Sequence, residues 1–269
     1  MPSFRSRGVS RAVAVSFSVT AMLGLSAPQP AQAAINPCGT TGHWFAGATS
    51  APLTSIFGAE GLVEYNNPDL CGDDTTGSGF SSAWVMVTAL GAGSTSPARQ
   101  GWAQIGYGQF GAASGYRQGR LIFSQWTDQC VSDGTCLVAG HTETDYGPAP
   151  SGGSTTYQVW KENSGGSGHI YMAYNFGAPL GETGYNPTGH WDPKWQTQFL
   201  GEVHQLQSDI PGTVSDVTTM ANLGYYDSTT YLHYFTGGLT GTSGNRYHRD
   251  VYDQGDGTRG VNIWTDPLS

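Results

Sequence analysis

The chain has 269 residues, a formal net charge of −9 and only 12% charged residues, with 40 glycines and a 12% aromatic fraction. That much glycine argues against a helical protein, and that many aromatics against a disordered one. The few cations and the acidic balance exclude nucleic acid and anionic membrane surfaces as partners.

Arg5, Arg7 and Arg11 precede an apolar stretch over 12–27, and Ala31-Gln32-Ala33 offers small residues at cleavage positions. This layout predicts a signal peptide over 1–33 and a secreted, extracellular product with no membrane attachment after cleavage. An uncleaved anchor is the competing reading, but the stretch is short and carries Ser and Thr. Loss of the three arginines takes the net charge from −9 to −12. The mature chain, 34–269, is long enough for one sizeable core, and no linker divides it.

Period-two alternation between Gly/Ser/Asn/Pro turns predicts strands at 61–65, 82–89, 101–107, 120–126, 137–141, 155–162, 169–175, 197–207 and 231–235. A final pair is expected at 247–252 and 260–264, whereas 216–223 reads as a turn or two of helix. The expected fold is all-β: a single-domain antiparallel β-sandwich of jelly-roll or concanavalin-like type, acting as a monomer. Four cysteines in an exported chain imply two disulfides. The turn-like spacer between Cys130 and Cys136 suits a staple across a hairpin, which leaves Cys38 to pair with Cys71. Zinc is the alternative use, but no C-x2-C pair is present.

Neither G-x-S-x-G nor H-E-x-x-H occurs, and no metal or other cofactor is expected. His141, Glu143 and Asp145 share one face of an extended segment and form the alternative, a cation site. The stronger candidate is Glu202, a carboxylate within the strand-like run Phe199-Leu200-Gly201-Glu202-Val203-His204-Gln205-Leu206. Alternation puts it on one face with Leu200, His204 and Leu206, and Glu64 is a conceivable second carboxylate across a groove. Aromatic side chains supply candidate binding surface. Trp84, Trp102 and Trp160 read as core, Trp102 and Trp126 as groove lining if they face it. Trp191 and Trp195, in Gly189-His190-Trp191-Asp192-Pro193-Lys194-Trp195, read as an exposed loop before the Glu202 strand.

The order of short motifs resembles the neprosin family of secreted glutamic peptidases. Gly58-Ala59, Ala83-Trp84-Val85, Gln100-Gly101-Trp102, Arg120-Leu121-Ile122-Phe123 with Trp126-Thr127, Trp160-Lys161 with Met172, and Gly201-Glu202-Val203 follow the family's succession from Phe57 to Phe235. Cys130 and Cys136 fall where the family carries a short-loop pair. The resemblance implies a β-sandwich and acid-range proteolysis by two glutamates. Glu202 matches the second of these, but Arg99 occupies the position of the first. Three consequences are open. Arg99 pairs with Glu202 and abolishes activity; an amide of Gln100 or Gln104 replaces the missing acid; or Arg99 clamps an anionic substrate group. Two function classes follow: a glutamic-type endopeptidase or other hydrolase centred on Glu202, and a catalytically degenerate sandwich that binds peptide or glycan.

Overall fold

The computed structural model describes residues 38, 41–71, 79–89, 101–111, 118–128, 141–162, 166–184, 186–187, 191 and 193–267, with backbone alone at 41 and 141. The expected leader, the pair Cys130 and Cys136, Arg99 and Gln100 lie outside them. Among the described residues there is no helix.

The strands are β1 (Thr41–Ser50), β2 (Gly58–Glu64), β3 (Phe80–Ala89), β4 (Gly101–Phe110), β5 (Gly119–Asp128), β6 (His141–Pro148), β7 (Ser154–Lys161) and β8 (Ile170–Tyr174). They continue as β9 (Gly181–Glu182), β10 (Gln196–Gln205), β11 (Gly212–Thr213), β12 (Asp216–Tyr226), β13 (Leu232–Tyr234), β14 (Leu239–Thr242), β15 (Tyr247–Asp253) and β16 (Arg259–Thr265). One sheet runs β14-β1-β10-β3-β4-β5-β6. The other runs β15-β16-β11-β12-β2-β7-β8-β9, with β13 on the edge of β12. All pairings are antiparallel except the single β11–β16 bridge.

The two sheets face each other over one apolar core. Ala83, Val85 and Val87 of β3, Ala103, Ile105 and Tyr107 of β4, and Phe199 and Val203 of β10 point into it from the first sheet. Ala59 and Val63 of β2, Tyr157 and Val159 of β7, Ile170 and Met172 of β8, and Val261 and Ile263 of β16 meet them from the second. Successive side chains on a strand point to opposite faces, so the intervening residues of both sheets face outward. The outward face of the first sheet has its own apolar cluster, built on Trp84, Met86, Phe110, Leu121, Phe123 and Leu200.

The expected helical turns at 216–223 are strand β12. Met220 and Leu223 are both fully buried although three residues apart. A register shift between Ala221 and Gly224, with Asn222 at φ 51°, resets the alternation and imitates a helical period. Trp191 and Trp195 also differ from expectation. They are 4% and 5% exposed, lie 5.2 Å apart between ring centroids and belong to the inter-sheet core. Trp195 bridges to Leu53, and Trp191 occupies the space that a side chain at position 101 would fill, which Gly101 leaves open.

Cys38 and Cys71 form a disulfide across 33 residues, and the backbone N–H of Cys71 donates to Ser208 Oγ at 3.1 Å. The bridge therefore ties the segment that precedes β1 to the turn that follows β10. Replacing both cysteines by Ser is expected to cost about 3–4 kcal/mol through loop-closure entropy in the unfolded chain. Denaturant unfolding measures it, and an unchanged midpoint would count against that role.

Candidate active site

Strand β10 lies between β1 and β3, and this placement assembles the site. Glu202 is in register with Phe45 on one side and Ser82 on the other. It faces outward from the first sheet, yet is only 8% exposed. A carboxylate so enclosed is costly unless donors surround it. Trp84 Nε1–H donates to Oε2 at 2.9 Å, and His43 Nδ1 lies 2.6 Å from Oε1. Because an ionised carboxylate only accepts, Nδ1 carries the hydrogen in this pair. The His43 side chain is 56% exposed.

The hydrogen bond that His43 donates to Glu202 raises the His43 pKa above its ordinary 6.5, partly opposed by burial and reinforced by the carboxylate's charge. His204, on the same face of β10, has the opposite bias. Burial lowers its pKa, and the neighbouring His43 lowers it further against the pull of Glu202. The two rings lie 5.5 Å apart edge to face, and His204 stacks on Phe80 at 5.6 Å. One imidazole is thus biased to be cationic and its neighbour neutral.

Glu202 and His43 stand at one end of a cleft of about 460 Å³ on the outward face of the first sheet. Trp84, Met86, Leu200 and Phe45 give it apolar lining, with Trp102 and Gln104 entering from β4. Gln104 Nε2 donates to Gln125 Oε1 at 2.6 Å, and Gln125 Nε2 donates to Glu143 Oε1 at 2.8 Å. Through Met86, Gln104 is in register with Gln198, four residues from Glu202 on β10. Two strand spacings and four residues separate Gln104 from Glu202 by roughly 16 Å at the backbone. They share the cleft but do not converge on one reacting atom.

The other expected residues separate. Trp102 lines the cleft, but Trp126 has the opposite parity on its strand and packs against the inter-sheet core. Its register partner, Ala103, is a core residue, which fixes that direction. Trp84 is not inter-sheet core as read. It belongs to the outward cluster and holds Glu202. Glu64 is on the second sheet, where its carboxylate accepts from Thr219 N–H at 3.1 Å, so it is not a partner for Glu202. No group of three His, Cys, Asp or Glu side chains able to hold a metal ion occurs among the described residues. The His141 side chain of the alternative cation site lies outside them.

His43 is the candidate-site residue that sequence reasoning missed. It lies 159 residues before Glu202, in a Gly- and aromatic-rich segment with no clean alternation. A raised His43 pKa means that the pair's stabilisation is full below about 6.5 and is lost as pH rises through the higher folded value. The stability gap between wild type and Glu202→Gln is therefore expected to be larger at pH 5.5 than at pH 9. The variant should also lower the His43 pKa in an NMR titration. An unchanged His43 titration would contradict the pairing.

No family model and no curated protein matches the chain. Among solved structures, porphyranase B (PorB) from Zobellia galactanivorans is similar at a TM-score of 0.36 and 12% identity, over 84% of this chain and 76% of that one. A likeness at this level transfers neither residues nor reaction.

Proposed function

We propose that the cleft on the first sheet binds a segment of an extended peptide and hydrolyses it, with Glu202 as base and His43 as acid. The observation that carries this reading is the enclosed Glu202 carboxylate, bonded to the half-exposed His43 at one end of an apolar-lined cleft. Glu202 takes a proton from water as its oxygen attacks the scissile carbonyl carbon. The imidazolium of His43 gives its proton to the departing amine as the C–N bond breaks. The Gly201-Glu202-Val203 match to the neprosin pattern supports the assignment of Glu202. The leader pattern and the Cys38–Cys71 disulfide support export to an oxidising compartment.

A second reading has its own observation. Both oxygens of Glu202 are already engaged, and among the described residues lining the cleft no other is a carboxylate. A protein that only binds a peptide or glycan chain in the cleft satisfies the same geometry.

Turnover of denatured protein between pH 3 and 8 distinguishes the two. Under the hydrolase reading Glu202→Gln lowers kcat by about 10²–10⁴-fold, the range for loss of a general acid–base group. Activity of the wild type falls as pH rises through the raised His43 value, and His43→Ala removes that alkaline limb. Absence of cleavage by the wild type at every pH, with peptide or oligosaccharide retained and released by Trp102→Ala, would establish the binding reading instead.

A further inference from the structure

The outward face of the second sheet carries an aromatic row that nothing in the cleft chemistry uses. Tyr226 of β12, Gly58 of β2, Trp160 of β7 and Tyr171 of β8 follow one another in register across four adjacent strands. Their neighbours in sequence, Ala59, Val159 and Met172, belong to the inter-sheet core, so these rings face outward. The Trp160 centroid is 5.9 Å from that of Tyr171 and 6.4 Å from that of Tyr226. Tyr226 and Trp160 approach although they stand two strands apart, because Gly58 between them has no side chain. A Cβ there would lie 2.8 Å from Tyr226 Cδ2. Solvent faces of antiparallel sheets are ordinarily polar, so a continuous ring row on one marks a recognition surface.

A buried polar network beside the row, on the same face of the sheet, fixes it. Glu60, 2% exposed, accepts from Tyr226 Oη–H and from Gln158 Nε2 at 3.0 Å. Burial pushes the Glu60 carboxyl up in pKa against both hydrogen bonds. Gln158 Oε1 in turn accepts from the Phe176 backbone N–H at 3.0 Å. Phe176 is 69% exposed at φ 56°, in a turn closed by Gly177 N–H to Tyr174 C=O at 3.0 Å. A bulky residue is rarely kept in that conformation. On the other flank Tyr234, 44% exposed, leans over Gly224, the register neighbour of Glu60.

We infer that this strip is a second binding surface, separate from the cleft, and that its ligand is a neutral glycan chain lying across the strands. Sugar rings present C–H faces to aromatic rings and hydroxyls to phenol and amide groups, and the strip offers both kinds of contact along one line. The row spans three strand spacings, about 14 Å, long enough for a run of sugar rings. Charge complementarity selects the neutral polymer. The strip's own carboxylate, Glu60, is buried and hydrogen-bonded, and Glu182, in register with Tyr171 at the row's end, lies 3.3 Å from His169. The chain's net charge of −9 disfavours polyanions.

The test is retention of the full protein on insoluble cellulose, chitin and xylan, with competition by the matching soluble hexasaccharides. Wild type is expected to be retained by at least one matrix and released by its hexasaccharide. Trp160→Ala should cut retention at least tenfold, while Trp264→Ala, on the same face of the sheet but outside the row, leaves it within twofold. Phe176→Gly guards against a folding artefact. It removes both the ring and the unfavourable φ, so the melting temperature should hold or rise while retention falls severalfold. The inference is overturned if no matrix retains the wild type, if Trp160→Ala is retained like the wild type, or if Trp264→Ala abolishes retention equally. Retention that no hexasaccharide reverses, and that phenyl-agarose reproduces, would overturn it as plain apolar adhesion. None of these outcomes depends on hydrolysis in the cleft, so the two proposals fail separately.

Discussion

The inter-sheet core dictates where every other group stands. Ala83, Val85 and Val87 must face it from β3, and Phe199 and Val203 must face it from β10. With those fixed, the two-residue period leaves Trp84 and Glu202 no direction but outward. A one-residue slip of β10 against β3 would bury the carboxylate between the sheets and expose Phe199, so register and chemistry are secured by the same apolar contacts. The small residues matter as much as the large. Ala46, Ala48, Ala59, Ala83 and Ala103 are fully buried and leave room for Tyr107, Tyr157 and Phe199.

Among the described residues each sheet carries one enclosed carboxylate on its outward face, and the two are satisfied differently. Glu202 is held by an indole N–H and an imidazole, a set that includes a titratable cation. Glu60 is held by a phenol and an amide, neither of which gains charge near neutral pH. The first arrangement responds to pH. The second is static, and what it fixes is the position of rings.

The fold class was legible because alternation in β7, β8 and β10 is unbroken and the turns between strands are marked by glycine. The Glu202 face was legible for the same reason, since ten residues of β10 keep one parity. Other features were hidden by competing physics. In 121–123, Leu121, Ile122 and Phe123 are all apolar because both faces of β5 are covered, so parity alone could not place Trp126. Trp191 and Trp195 sit in a Pro- and charge-bearing segment that looks solvated, and only the missing side chain at Gly101 reveals the space that takes Trp191. His43 was beyond reach, because a hydrogen bond spanning 159 residues leaves no local trace.

That separation has a consequence for how the protein comes into being. Trp84 and His43 meet Glu202 across 118 and 159 residues, and β10 fills the gap between β1 and β3 only after most of the chain is present. Contacts of such long range form slowly and late, since chain closure must precede any stabilisation from them. A chain still emerging from its ribosome therefore has an open slot in its first sheet and no assembled Glu202 cluster. The Glu202 cluster and the completed first sheet arrive together, so the order of strands itself delays assembly of the cluster until β10 has been made.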